Sequence, residues 1–213
     1  MARWRREPQR LSGEWTGYRY VAPGYPPLWH EGSPRRPAMQ PSARWHHGHL
    51  GRLAQYFSLD VDGAWAELVR WEHIRTEEER LNLRAILWQG VIVEDAIADL
   101  RTFDVIEHCG IDPGIVIDDE HAACRDLAEQ LIDAGYRGLI APSASLTGSV
   151  NLTLFGSRRE IYPDEGLGEN FRPHLYIPVR QLVEGSPPAT VLARARLYGD
   201  PHDGYEAWRN PRR

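Results

Sequence analysis

The chain contains no lysine, and all 25 of its basic residues are arginine. A Walker-type phosphate loop is therefore excluded, and any phosphate must be met by guanidinium forks or backbone amides. Only two cysteines occur, Cys109 and Cys124, and they form no CxxC pair. Both read as reduced packing residues. No apolar run approaches the roughly 18–20 residues of a membrane helix, and no apolar stretch follows the basic start MARWRREPQR to make a signal peptide. A cytoplasmic protein is the resulting expectation. GxGxxG, GxSxG and HExxH are all missing, which argues against a Rossmann dehydrogenase, an α/β-hydrolase and a zincin. The run Trp45-His46-His47-Gly48-His49 has no companion ligands that would complete a zinc site, so no metal is expected. Positive charge is not in excess either: 30 acidic residues give a net charge of −5, which disfavours a general affinity for nucleic acid.

The 213 residues, 42% hydrophobic and 26% charged, suffice for one domain with elaborated ends. Residues 1–16, rich in arginine, read as a mobile N-terminal arm. Residues 17–165 read as the body of the domain, and 166–213 as a C-terminal extension packed on it. Six prolines between Pro23 and Pro41 predict a long loop or lid. A strand is expected over 53–58, then a turn from Asp60 to Gly63 that opens a helix over 63–80 with Asp62 as its N-cap. A second strand is expected over 84–93, followed by a short turn of helix or loop from Asp95 to Leu100. Ala123, Leu127, Leu131 and Ala134 recur at helical spacing within 118–134, and Gly135 follows as a C-terminal glycine. Strands over 139–141, 150–155, 159–162 and 174–179 complete the pattern, and Ser143 falls just beyond a strand end, where function concentrates.

Two carboxylates on the 63–80 helix are flanked by apolar residues at 100° per residue: Glu67 lies between Trp71 and Ile74, and Glu72 between Trp65 and Leu68. A carboxylate so placed must be paired or functional, and periodicity does not choose between the two. With Arg19, Arg44 and Tyr56, such a carboxylate makes a set suited to a nucleotide: guanidiniums for phosphates, an aromatic ring for stacking, an acid for a ribose.

The succession Tyr18-Arg19-Tyr20, Ala43-Arg44-Trp45 with Gly48, Gln55-Tyr56-Phe57-Ser58 leading through Gly63-Ala64-Trp65-Ala66-Glu67, and Ala141-Pro142-Ser143-Ala144 with Asn151 resembles the RES-domain family, named for its Arg, Glu and Ser. The resemblance spans about residues 17–160. It implies a compact α/β (α+β) fold similar to ADP-ribosyltransferases, with a mixed sheet and flanking helices. It also implies action on NAD⁺, consumed as substrate with no resident cofactor and with phosphate as a possible acceptor. Several members of the family are toxins paired with an Xre-type helix-turn-helix antitoxin. Residue by residue, the resemblance selects Glu67 over Glu72, Arg19 and Arg44 for phosphates, and Tyr56 as the strand-end aromatic. It selects Ser143, with Ser145 as fallback, as the serine. Tyr20, Trp45 and Asn151 are expected around the same pocket, and Arg44-Trp45-His46 stands where the family usually has Arg-Trp-Asn.

Breaking the nicotinamide–ribose bond develops positive charge at the anomeric carbon and expels a neutral leaving group, so a fixed carboxylate suits it better than a general acid. Glu67 is assigned that role. Two other readings share the residues: a protein ADP-ribosyltransferase, and a non-catalytic interaction module with a degenerate pocket. A homodimer is compatible with the sequence.

Overall fold

Strand β1 (Arg10–Val21) runs antiparallel to β3 (Ala85–Asp99) over almost its whole length, and the rest of the molecule is assembled around this pair. The computed structural model describes residues 4–23, 42–48, 53–70, 74, 76–156, 160–163 and 176–211. The other edge of β3 is shared. β7 (Tyr176–Gly185) pairs antiparallel along its first half, and β4 (Gly138–Pro142) pairs parallel at its end. From β4 the pairing passes to β5 (Val150–Phe155), then to β2 (Ala54–Ser58), and returns to β1 through the single pair Tyr18–Ser58. The five strands thus close a circuit, with β7 and the parallel β6 (Glu160–Pro163) carried beside β3. Phe57, Ile92, Ile97, Ile140, Leu152 and Leu154 form the buried cluster of this circuit.

Just before it meets β4, β3 carries a local irregularity. Ala96 has φ 53°, and the register against β1 shifts between Leu11 and Gly13, which is a β-bulge. Pairing with β7 has already ended at Gly90, and beyond the bulge the strand meets β4. The expectation of a helical turn or loop from Asp95 to Leu100 is corrected here: the strand runs on to Asp99, because the bulge absorbs the irregularity while Ile97 and Ala98 stay fully buried.

The N-terminal arm is also corrected. Residues 10–16 form the first half of β1, and Arg5 and Arg6 donate from their backbone nitrogens to the Cys109 carbonyl at 2.7 and 3.3 Å. Arg10 lies 4.1 Å over the Tyr136 ring and donates to the carbonyls of Ala134 (2.6 Å) and Gly135 (3.2 Å). Its charge meets the free carbonyls at a helix end. That helix, α5 (Ala122–Asp133), starts later than expected and ends before Gly135, whose φ of +81° suits glycine. With α3 (Phe103–His108) and α4 (Gly114–Ile117) it covers β4 through Leu100, Ile106, Leu127, Leu131 and Leu139.

Helix α1 (Val61–Val69) is shorter than the predicted 63–80. Its N-cap is Asp60 rather than Asp62: Asp60 Oδ1 accepts from the Gly63 nitrogen at 2.6 Å, and Oδ2 accepts from Ser149 Oγ. A Cβ on Gly63 would stand 2.0 Å from Ser149 Oγ and 2.3 Å from Ser58 Oγ, so only glycine lets α1 start this close to β2 and β5. The expected second half of the helix is a separate element, α2 (Glu77–Leu81), started by a Thr76–Glu79 capping box. Burial of Trp65 and Leu68 against α6 (Ala189–Leu192) contributes about 1.5–3 kcal/mol for each side chain. The last element, α7 (Asp203–Arg209), packs Tyr205 and Trp208 against Phe103. The molecule is one mixed α/β domain, and its C-terminal part supplies a strand of the sheet. The proline-rich segment over 24–41, His49, Trp71 and Glu72 lie outside the described residues.

Candidate functional site

A cavity of about 340 Å³ opens beside the Tyr18–Ser58 seam, between α1, the 43–46 loop and the facing ends of β4 and β5. Glu67, in the last turn of α1, is the acid on its wall. Glu67 Oε1 accepts from Ser143 Oγ at 2.9 Å and from Asn151 Nδ2 at 2.7 Å. Both donors use one oxygen, so Oε2 has no donor among the described residues. Glu67 is half-buried, and these two bonds set its direction.

Ser143 is fully buried and lies behind the wall. Besides donating to Glu67, its Oγ accepts from the backbone nitrogens of Ser145 (3.0 Å) and Leu146 (3.3 Å), and its own nitrogen donates to the Ser149 carbonyl at 2.9 Å. Its role in the structure is to lock the β4–β5 turn under Glu67. Ser145, the fallback, contributes a backbone donor to this lock, and its buried hydroxyl has no partner among the described residues.

On the strand side stand Arg19, Tyr20 and Tyr56. Arg19 Nη1 donates to the Tyr56 carbonyl at 3.4 Å. Burial lowers its pKa, opposed by the charges that Tyr20 and Tyr56 would carry. Burial pushes the Tyr20 hydroxyl up to about 12, helped by the charge of Glu67, and raises Tyr56 further. The Tyr56 hydroxyl accepts from the Trp45 nitrogen at 3.1 Å and shares a 2.8 Å hydrogen bond with His46 Nδ1. Tyr56 therefore ties the 43–46 loop to β2, and His46 occupies the position of the family's usual asparagine as part of that tie. Trp45 is 3% exposed and packed in the core with Leu131 and Leu139. A ring held this way is a fixed part of the cavity wall and not a mobile stacking partner.

The opposite side is cationic. Arg44 Nη1 donates to the carbonyls of Val116 (2.9 Å) and Asp118 (2.6 Å). Arg70, at the C-cap of α1, pairs with Asp119, which also lies 3.6 Å from Arg196. Burial, then repulsion from Arg44 and Arg196, lowers the Arg70 pKa to about 10. Burial, then repulsion from Arg44, Arg70 and Arg125, lowers His121 to about 4.

Glu67, Arg19, Arg44, Tyr20, Tyr56, Trp45 and Asn151 are thus brought to one cavity, with Ser143 directly beneath it. Arg70, His121 and Thr153 line it as well and were not anticipated. For Arg70 a signal existed, since it follows Glu67 by three residues on one helix face. His121 and Thr153 carry none in sequence. The C-terminal segment also reaches the site from behind. His202 Nδ1 accepts from the Tyr205 nitrogen at 3.0 Å, so Nε2 carries the proton and donates to the Ser143 carbonyl at 3.1 Å. The Arg196 nitrogen donates to the Ser145 carbonyl at 2.9 Å.

A family model described as the RES domain matches residues 7–169. A search of curated proteins gives no match. Among solved structures, the crystal structure of the M. tuberculosis MbcT-MbcA toxin-antitoxin complex contains a similar chain, with a TM-score of 0.62 and 21% identity. The similarity covers 87% of this chain and 91% of that one.

Proposed function

The chain belongs to the RES-domain family, and from that premise we propose that it cleaves the nicotinamide–ribose bond of NAD⁺ and passes the ADP-ribosyl group to inorganic phosphate. The observation that carries this reading is the clamped carboxylate: Glu67, oriented by Ser143 and Asn151, faces a cavity with a cation on either side. Nicotinamide departs with the electron pair of its bond to the ribose and becomes neutral, so the step needs no acid. Glu67 stabilises the positive charge that develops at the anomeric carbon and holds a ribose hydroxyl through Oε2. Arg19 binds the pyrophosphate, and Tyr20 and Tyr56 flank it. Asn151 orients the acid, and Ser143 acts through Glu67 without touching the substrate.

A toxin role with an Xre-type antitoxin partner accompanies this reading, in keeping with the toxin-antitoxin complex whose fold the chain shares. The test is nicotinamide release from NAD⁺ by the purified protein, with and without phosphate. Release that rises with phosphate and yields ADP-ribose 1-phosphate supports the proposal. Release without phosphate dependence makes the enzyme a hydrolase, and label transfer from adenine-labelled NAD⁺ to protein makes it a protein ADP-ribosyltransferase. No turnover and no binding of NAD⁺ leaves an interaction module.

A further inference from the structure

Two polar nitrogens on the cationic wall lack partners among the described residues: Arg70 Nε and His121 Nε2, both buried. The Arg70 side chain is only 9% exposed, so this unused donor has been taken out of water without compensation. An uncompensated buried donor costs about 1–3 kcal/mol, and such a defect on a cavity wall points to a ligand that satisfies it. The charges around it point the same way. Arg44, Arg70, Arg125 and Arg196 lie within electrostatic reach of one another or of His121, against the carboxylates of Asp118 and Asp119.

We infer that Arg70, His121 and Arg44 form an oxyanion subsite separate from Arg19, and that it takes inorganic phosphate as the acceptor. The inference rests on the NAD⁺-cleaving reading of the same cavity. Position decides which anion goes where. Arg70 stands one helical turn from Glu67 and its charge is felt there, whereas Arg19 sits among Tyr20 and Tyr56. The acceptor must lie at the carbon that Glu67 stabilises, while the pyrophosphate of NAD⁺ is separated from that carbon by the length of the ribose. The cation that shares α1 with Glu67 and feels its charge therefore belongs to the acceptor.

In the reaction a phosphate oxygen supplies the electron pair for the new bond to the anomeric carbon as the nicotinamide nitrogen leaves with the pair of the old one. Monohydrogen phosphate keeps its proton through this step, and the product phosphomonoester later releases it to solvent. Arg70 Nε donates to a phosphate oxygen, and the neutral imidazole of His121 takes the phosphate hydroxyl at Nε2. The guanidiniums offset the repulsion between phosphate and Glu67.

The experiment pairs ³¹P line broadening of inorganic phosphate, which reads binding without turnover, with nicotinamide release at varied phosphate and NAD⁺. Wild type is compared with Arg70→Gln and His121→Ala. The second variant leaves the Arg70–Asp119 pair intact, and a thermal melt checks that each is folded. The expected result is that Arg70→Gln raises the phosphate KM about tenfold or more, the scale of a lost charge-assisted bond, and abolishes the line broadening. His121→Ala moves both in the same direction by less, and the KM for NAD⁺ stays within a few-fold in each. A folded variant that raises the NAD⁺ KM and leaves phosphate alone overturns the subsite, as does phosphate broadening that persists in both. If phosphate binds wild type and not Arg70→Gln while no nicotinamide is released under any condition, the subsite stands and the NAD⁺ reading falls. If nicotinamide is released but phosphate neither binds nor accelerates it, the subsite alone falls.

Discussion

The two sides of the cavity meet negative charge by different means. On the strand side Arg19 is a guanidinium among tyrosines whose hydroxyls burial holds protonated, and its charge is costly because water is excluded. On the helix side burial is again the first cost, and other cations add to it: Arg44, Arg70 and Arg196 repel one another, and burial with that repulsion keeps His121 neutral beside them. The first arrangement suits an anion delivered by a large ligand that closes over the site with it. The second suits a small anion that relieves several repulsions at once. Glu67 lies between the two, and a site that joins a nucleotide to a second, smaller reactant needs this asymmetry.

The largest effect that would break the comparison is expected at Glu67 itself. Glu67→Gln keeps both hydrogen bonds to Oε1 within reach and removes the charge, so turnover should fall by about 10²–10³ with the NAD⁺ KM little changed. Full activity in a folded Glu67→Gln protein, read by nicotinamide release, would end its assignment. Next in size, Arg19→Gln should raise the NAD⁺ KM about tenfold and leave the phosphate KM unmoved, the mirror image of the Arg70 variant. Equal effects on both reactants would erase the distinction between the sides. Ser143→Ala removes one hydroxyl that serves three bonds, so a stability loss of about 1–3 kcal/mol is expected. It should come with lowered kcat at nearly unchanged KM. A loss of stability with intact kcat would show that Ser143 serves the turn alone.

The smallest effect is one of pH. His121 is held near 4 against an ordinary value of 6.5, and burial lowers His202 too. The unfolded chain therefore takes up these protons first. Their contribution to stability is complete above about pH 6.5 and is lost as the pH falls toward 4. The melting temperature should fall across that window, and His202→Gln should make the fall shallower. Saturating phosphate should shift the His121 midpoint upward, because an anion at Nε2 favours the charged ring.

Much of this was legible in the chain and some of it was not, for reasons that lie in the contacts. The acid, the serine and the asparagine can be picked out of the sequence because they sit in short ordered motifs at strand and helix ends, and the fold places the three in one hydrogen-bonded group. β2, β4 and β5 are legible as short apolar runs. The end of β3 is not, because a bulge with Ala96 at positive φ admits Asp95 into what looks like a turn. The arm over 10–16 is polar on one side only, and its pairing with β3 is invisible without β3. Helix α1 looks longer than it is because the α2 capping box continues its charge pattern. Arg70, His121 and Thr153 acquire meaning only when the 117–121 segment and β5 approach the end of α1.

The residues matched by the family model stop at 169, before β7 begins, yet β7 covers the first half of a strand that runs through the centre of the molecule. A fragment trimmed to the matched residues would leave that backbone edge bare, with fully buried Leu87 uncovered nearby. Unpaired edges of this kind recruit other chains. A boundary drawn from homology would therefore produce an aggregating species, and fragments for expression or for fusion must run to the end of α7.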